Sequence, residues 1–147
     1  MAKETTKPRI VIFDLDDTLI HEGFEDYAPR LGEMLLFKEV REVLEYLKEK
    51  GHTLAIASHN EQAEFLLKSC NIHHFFEVVV GYCPPSFEKM PLVEDVLKCV
   101  QHMETSDVVF FDDLYENVTE LKRKGIRAKM VSWEHGVTHQ DLREMDL

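Results

Sequence analysis

Short apolar runs alternate with longer segments of helical period along this chain. Ile10-Val11-Ile12-Phe13 is apolar throughout and stops at a carboxylate, Asp14. Such a run, rich in β-branched residues, reads as a strand covered on both faces. Runs at 52–57, 76–80, 108–111 and 126–131 predict strands two to five. Phe37 to Lys50 is the clearest helix, because Val40, Val43, Leu44 and Leu47 repeat at helical spacing and Gly51 stands where a terminating glycine belongs. Glu61 to Cys70 reads as a shorter helix. Pro91 suits the first turn of a third, whose apolar face is Val93, Val96, Leu97 and Val100. Leu114 to Lys124 predicts a fourth, closed by Gly125. Thr138 and Asp141 resemble a capping box for a last helix, His139 to Met145.

Strands alternating with helices through short connections mean an α/β fold, with a parallel sheet, helices on both faces and right-handed crossovers. Residues 1–8 read as a loose polar tail and residues 9–147 as one domain. Residues 20–37 have no clean period and predict an irregular excursion over the end of strand one. Pro84-Pro85 forbids regular structure in the loop before Pro91. If strand four lies beside strand one, opposite strand two, the order reverses there. Their carboxyl ends then face each other across the crevice where such sheets bind ligands.

Composition narrows the function. The 147 residues are 44% hydrophobic and 31% charged, ordinary for a globular domain. Lys and Arg number 17 against 28 Asp and Glu, a net charge of −11, which argues against a nucleic acid partner. A small phosphorylated substrate stays compatible, since a bound Mg²⁺ reverses the local field. Cys70, Cys83 and Cys99 are odd in number and widely spaced, which suits free thiols in a reducing compartment. No signal-like or membrane-length apolar run is present, so a cytoplasmic or nuclear location is expected, neither secreted nor membrane-bound.

The chemistry collects at predicted strand ends. Asp14, Asp16 and Asp17 follow strand one, Ser58 follows strand two, Lys89 follows strand three, and Asp112 and Asp113 follow strand four. Clustered acids repel one another unless a cation binds or one stays protonated. Phosphoryl transfer uses such parts: a carboxylate nucleophile, a carboxyl two residues on as acid then base, Mg²⁺ between opposed acids, and a hydroxyl with an ammonium on the phosphoryl oxygens. Asp16 must begin protonated to act as an acid. The metal is therefore expected to meet Asp14 through its side chain and Asp16 through its main-chain carbonyl.

Asp14-Leu15-Asp16-Asp17-Thr18, Ser58, Lys89 and Phe111-Asp112-Asp113 resemble, in order, the four motifs of the haloacid dehalogenase superfamily. Runs at 38–44, 110–113 and 133–137 make the chain most similar to its magnesium-dependent phosphatase-1 family. The resemblance implies a Rossmann-like three-layer core with strand order 5-4-1-2-3 and an aspartyl-phosphate intermediate. It makes Asp14 the nucleophile and Asp16 the acid/base. Ser58 and Lys89 would bind phosphate, and Asp112 would bind Mg²⁺ with Asp113 in support. His59 stands where close relatives often carry Arg, and is a candidate to contact the substrate. Neither 20–37 nor 60–88 has room for a cap domain, so the resemblance implies a capless phosphatase with an open cleft. Specificity then falls to loops 20–37 and 82–88. The expected partner is a sugar phosphate, another small phosphate ester or a phosphoprotein side chain.

Other readings compete. Ser58 and Asp112-Asp113 also suit helix caps, and Thr18 is a candidate to hydrogen-bond back to an acid. His73-His74 and His135/His139 invite a metal reading, but Gly136 interrupts the second pair and no acid follows in the HExxH manner, so they read as solvated or capping residues. Tyr82, Pro84, Pro85 and Phe87 form either a substrate wall or an ordinary apolar loop. A receiver-like signalling domain also combines acids, hydroxyl, lysine and Mg²⁺, though its phosphorylated Asp comes from a later strand. A phosphatase of polynucleotide ends is a further alternative that the negative charge disfavours.

Overall fold

Along β1 (Ile10–Phe13) the side chains divide between two cores. Val11 and Phe13 join one apolar cluster, and Ile10 and Ile12 join the other. This period of two is what a strand covered on both faces requires. The computed structural model describes residues 7–21, 35–102 and 104–147. Most of the expected polar tail at 1–8 and of the excursion at 20–37 therefore lies outside the described residues.

The other strands are β2 (Thr53–Ser58), β3 (Val78–Gly81), β4 (Val108–Asp112) and β5 (Arg127–Met130). All neighbours are parallel, in the order β3-β2-β1-β4-β5, which is the expected 5-4-1-2-3 read from the other edge. Phe13 lies opposite Ile56 on one side and Phe111 on the other. Helices α1 (Val40–Glu49), α2 (Ala63–Ser69) and α5 (His139–Glu144) cover the Val11/Phe13 face. Helices α3 (Met90–Cys99) and α4 (Tyr115–Arg123) cover the Ile10/Ile12 face. The result is a three-layer, Rossmann-like α/β/α sandwich, and among the described residues it has no cap domain. No helix among them is long and apolar enough to cross a membrane.

Local details follow from the residues. Phe13 stacks on Phe111 with ring centroids 5.5 Å apart and meets Phe76 edge-on at 6.4 Å. Such pairs add about 0.5–1.5 kcal/mol each beyond their burial. The α5 capping box forms as expected, with Thr138 and Asp141 exchanging side-chain bonds with each other's main-chain N–H groups. Gly51 has φ +86°, the left-handed turn that ends α1.

Some boundaries differ from expectation. α1 begins at Val40 rather than Phe37, because Phe37 N–H donates to Leu19 O at 3.1 Å and Leu36 bridges Ile20. Those residues brace the turn after β1 instead of winding into the helix. β3 begins at Val78 rather than Phe76, because His73–Phe75 forms a 3₁₀ turn that the Phe76 N–H closes. α2 begins at Ala63 rather than Glu61, because Asn60 Oδ1 takes the Gln62 N–H at 2.8 Å. Gly136 (φ +66°) packs against Phe37 so closely that a Cβ there would lie 2.3 Å from the ring. This contact, with Val137 N–H donating to Thr18 O at 2.9 Å, ties the segment after β5 to the turn after β1.

Candidate active site

Strand register assembles the site. Phe13 pairs with Phe111, so the next residues, Asp14 and Asp112, end adjacent strands side by side. Asp14 N–H extends the ladder by donating to Phe111 O at 2.9 Å. The chain then turns sharply. Leu15 O accepts from the N–H groups of Thr18, Leu19 and Ile20, and Asp17 takes φ +61°. This turn brings Asp14, Asp16 and Asp17 to the wall of one cleft of about 250 Å³. Ser58, His59, Asn60, Lys89, Asp113, Leu114 and Asn117 complete its lining.

At its floor Lys89, 1% exposed, bridges the ends of three strands. Its Nζ donates to Ala57 O at 2.9 Å and to Asp14 Oδ1 at 3.0 Å, and stands 3.6 Å from Asp112 Oδ2. Asp112 Oδ2 accepts from Asn117 Nδ2 at 2.9 Å, and Oδ1 accepts the Leu114 N–H at 2.9 Å. Asp112 thus makes the turn that leads into α4, but neither it nor Asp113 caps the helix as expected: the N-cap is Leu114, without a side-chain cap bond.

Asp14, Asp112 and Asp113 each offer a carboxylate oxygen within 4.8 Å of the others, the single such cluster among the described residues. Burial, then the Asp14 charge, pushes the Asp112 carboxyl up to about 6, against the pull of Lys89 and the two N–H donors. Burial, then the charges of Asp14 and Asp112, pushes Asp113 up to about 8. Three acids around one ammonium leave an excess of negative charge, which is costly where water is excluded. A hard divalent cation removes that excess. Octahedral Mg²⁺ with oxygens at about 2.1 Å spans about 4.2 Å between opposite ligands, so the donor set fits with small movements.

Asp16 stands apart from this cluster. Its Oδ2 accepts from Asn60 Nδ2 at 3.1 Å. Ser58, buried at the end of β2, accepts the Asn60 N–H on Oγ at 3.0 Å. His59 lines the cleft, but its Nε2 donates to Glu88 O at 3.0 Å, so that nitrogen links two loops. One expectation changes, and one open alternative narrows. Thr18 Oγ1 is buried without a hydrogen-bond partner rather than bonded to an acid, and its main chain is what braces the turn. Tyr82 does not face the cleft: its hydroxyl donates to Asp95 on α3 at 2.8 Å. Among the described residues the histidine pairs join no metal-binding cluster, and His73 and His139 lie against Glu64 and Glu42.

Two residues near the site carry no signal in the sequence. Asn60 follows Ser58-His59 as an ordinary polar loop residue. Glu120, on α4, accepts the N–H groups of Lys89 (2.8 Å to Oε1) and Met90 (2.7 Å to Oε2). Nothing local in the sequence hints at either role.

A parallel sheet reversing its order between β1 and β4, with acids and a lysine at the reversal, defines an α/β domain with a polar ligand-binding crevice. The family model described as haloacid dehalogenase-like hydrolase matches residues 23–131, and the chain belongs to that family. The match includes Ser58, Lys89, Asp112 and Asp113 and begins after Asp14 and Asp16. Solved structures share the fold. A haloacid dehalogenase-like hydrolase from Streptococcus pneumoniae has TM-score 0.70 at 17% identity, over 92% of this chain and 90% of that one. A HAD-superfamily hydrolase from Ehrlichia chaffeensis gives 0.67 at 17%, over 95% and 97%. A HAD phosphatase from Thermococcus onnurineus gives 0.75 at 14%, over 93% and 97%. No curated protein sequence matches the chain.

Proposed function

We propose that the chain is a Mg²⁺-dependent phosphomonoester hydrolase that works through a phosphorylated Asp14. The carrying observation is Lys89 Nζ, 3.0 Å from Asp14 Oδ1 in a cluster with Asp112 and Asp113 at neighbouring strand ends. The family and the neighbours described as phosphatases support the same reading.

Asp14, Asp112 and Asp113 would hold the ion by their side chains, and Asp16 by its main-chain carbonyl. When bound, the ion supplies positive charge to the phosphoryl oxygens and to the crowded acids. Lys89 fixes Asp14 Oδ1 and neutralises part of its charge. Asp14 attacks phosphorus, and the ester P–O bond breaks with its electron pair going to the leaving oxygen. Asp16 gives that oxygen its proton. Water then attacks the aspartyl phosphate, Asp16 takes a proton from it, and inorganic phosphate leaves. Ser58 and Lys89 hold the non-bridging oxygens, and His59 lies beside them.

The substrate is a sugar phosphate, another small phosphate ester or a phosphorylated protein side chain, reached through a cleft without a cap. The likeness to the magnesium-dependent phosphatase-1 family is part of this reading. The free thiols Cys70, Cys83 and Cys99 agree with a cytoplasmic or nuclear setting. The deciding experiment is hydrolysis of p-nitrophenyl phosphate with Mg²⁺ by the wild type and by Asp14→Asn. The variant should fold and lose turnover by several orders of magnitude, and sustained turnover would remove Asp14 as nucleophile. A panel of phosphotyrosine, sugar phosphates and nucleotides then ranks substrates. A phospho-Asp14 that persists for minutes instead of turning over would favour a receiver-like switch.

A further inference from the structure

Asn60 is locked in place by its own backbone and by its neighbours. Its N–H donates to Ser58 Oγ (3.0 Å), its main-chain O accepts the Ala63 N–H (3.1 Å), and its Oδ1 accepts the Gln62 N–H (2.8 Å). The last bond matters most. The two ends of a side-chain amide look alike, and the network must say which is which. A main-chain N–H can only donate, so the end facing Gln62 is the oxygen. The other end is therefore the NH₂, and it is this end that lies 3.1 Å from Asp16 Oδ2. Behind the loop is Gly81, where a Cβ would come within 2.6 Å of Asn60 O and 3.1 Å of Ala63 Cβ. The absent side chain lets the loop lie flat on β3, and the tight fit holds Asn60 at the cleft.

We infer that Asn60 is a positioning residue that orients the Asp16 carboxyl for proton delivery while its main-chain N–H holds the Ser58 hydroxyl. The inference rests on the phosphatase reading above. As the ester P–O bond breaks, the proton passes from the Asp16 carboxyl to the leaving oxygen, and Asp16 becomes a carboxylate. The Asn60 N–H then donates to an ionised oxygen, and such bonds are shorter and about twice as strong as neutral ones. The contact therefore favours the transition state over the ground state. One residue just past the end of β2 couples, through its main chain and its side chain, the group that holds the phosphoryl oxygens to the group that protonates the leaving one.

The test compares leaving groups. A 2,4-dinitrophenolate departs without protonation, whereas an alkoxide does not. The quantity to measure is kcat/KM, which covers only the steps up to phosphorylation of Asp14. Asn60→Ser keeps a short oxygen for the Gln62 N–H and cannot reach Asp16. Asn60→Asp keeps that oxygen and removes the N–H donor, and serves as the second variant if Ser weakens the fold. With Mg²⁺, the ratio of kcat/KM for an alkyl phosphate to that for 2,4-dinitrophenyl phosphate should fall at least tenfold in either variant. General acids contribute about 10²–10⁴-fold, so an impaired one leaves a readable deficit. Equal losses on both substrates, or no loss, would overturn the inference, because a merely structural role lowers both together. Asp16→Asn is run in parallel. If Asp16→Asn lowers the ratio and the Asn60 variants do not, Asn60 alone loses its role. If Asp16→Asn leaves the ratio unchanged, the acid assigned to Asp16 falls, and this inference with it.

Discussion

Glu120 caps the helix that Lys89 begins. Its carboxylate, carried on α4, accepts the N–H groups of Lys89 and Met90 at 2.8 and 2.7 Å, while Lys89 Nζ reaches Asp14 at 3.0 Å. Both ends of Lys89 are thereby fixed, the backbone by an anion at a helix N-terminus and the ammonium by the site itself. Glu120→Ala should cost about 1–2 kcal/mol, as loss of a good cap does. It should also lower kcat, because the backbone of Lys89 gains freedom. Urea unfolding and steady-state hydrolysis check the two effects, and Glu120→Gln should recover part of each.

Lys89→Met tests the buried cation itself. Asp14 and Asp112 would lose the ammonium beside them at buried strand ends. Removing one partner of a buried ion pair costs about 3–5 kcal/mol. Chemical denaturation in EDTA should register a loss of that size, and hydrolysis should be abolished.

Metal dependence should carry a pH signature. Asp112 and Asp113 are raised in the folded protein to about 6 and about 8 from the usual 3.8. Between about pH 4 and pH 8 the metal-free fold thus binds more protons than the unfolded chain. Its stability from these groups is therefore present at low pH and lost as pH rises through those values. Mg²⁺ takes the place of the protons, so its stabilisation should run the other way. Thermal unfolding with about 10 mM Mg²⁺, against an EDTA-treated control, should give a larger rise in Tm at pH 8.5 than at pH 6. Asp113→Asn should flatten that difference.

His52 sets an opposite trend elsewhere in the fold. It is buried beside β1, and its Nδ1 accepts the Arg9 N–H at 2.9 Å. Burial first, then the Arg9 charge, holds the ring below its usual 6.5. The folded state then resists a proton that the unfolded chain accepts. The stability it contributes is full above about pH 6.5 and is lost as pH falls through the lower folded value. His52→Asn keeps an acceptor oxygen and does not titrate. Denaturant midpoints from pH 7.5 down to 5 should fall less steeply in this variant than in the wild type.

Gly136→Ala should loosen the segment after β5. The new methyl would lie 2.3 Å from the Phe37 ring, at a backbone φ of +66°. Overpacking of this kind costs about 1–3 kcal/mol, before backbone strain is added. Differential scanning calorimetry would show the drop in Tm.

The layers were legible because mostly apolar runs alternate with segments of helical period, while the strand order came from the resemblance of the motifs at 14–18, 58, 89 and 111–113. Four strand ends also carried the acids, hydroxyl and lysine now found around one cleft. What escaped was set by contacts between distant segments. Phe37 has the residue type and spacing of a helix start, yet its N–H bonds to Leu19, and no periodicity reports that. Phe76 looks like a strand residue, yet its N–H closes a 3₁₀ turn. Thr18 carries a hydroxyl that suggested a bond to an acid, and burial left it without one. Asn60 and Glu120 are common surface types, and their value lies in partners 44 and 31 residues away.

The pairing of β1 with β4 joins the first strand of the chain to its fourth. Asp14 and Asp112 become neighbours only when that seam closes, so no early folding intermediate that lacks β4 can present both acids to an ion. A metal-sensitive probe followed during refolding would therefore act as a clock for the closing of that seam.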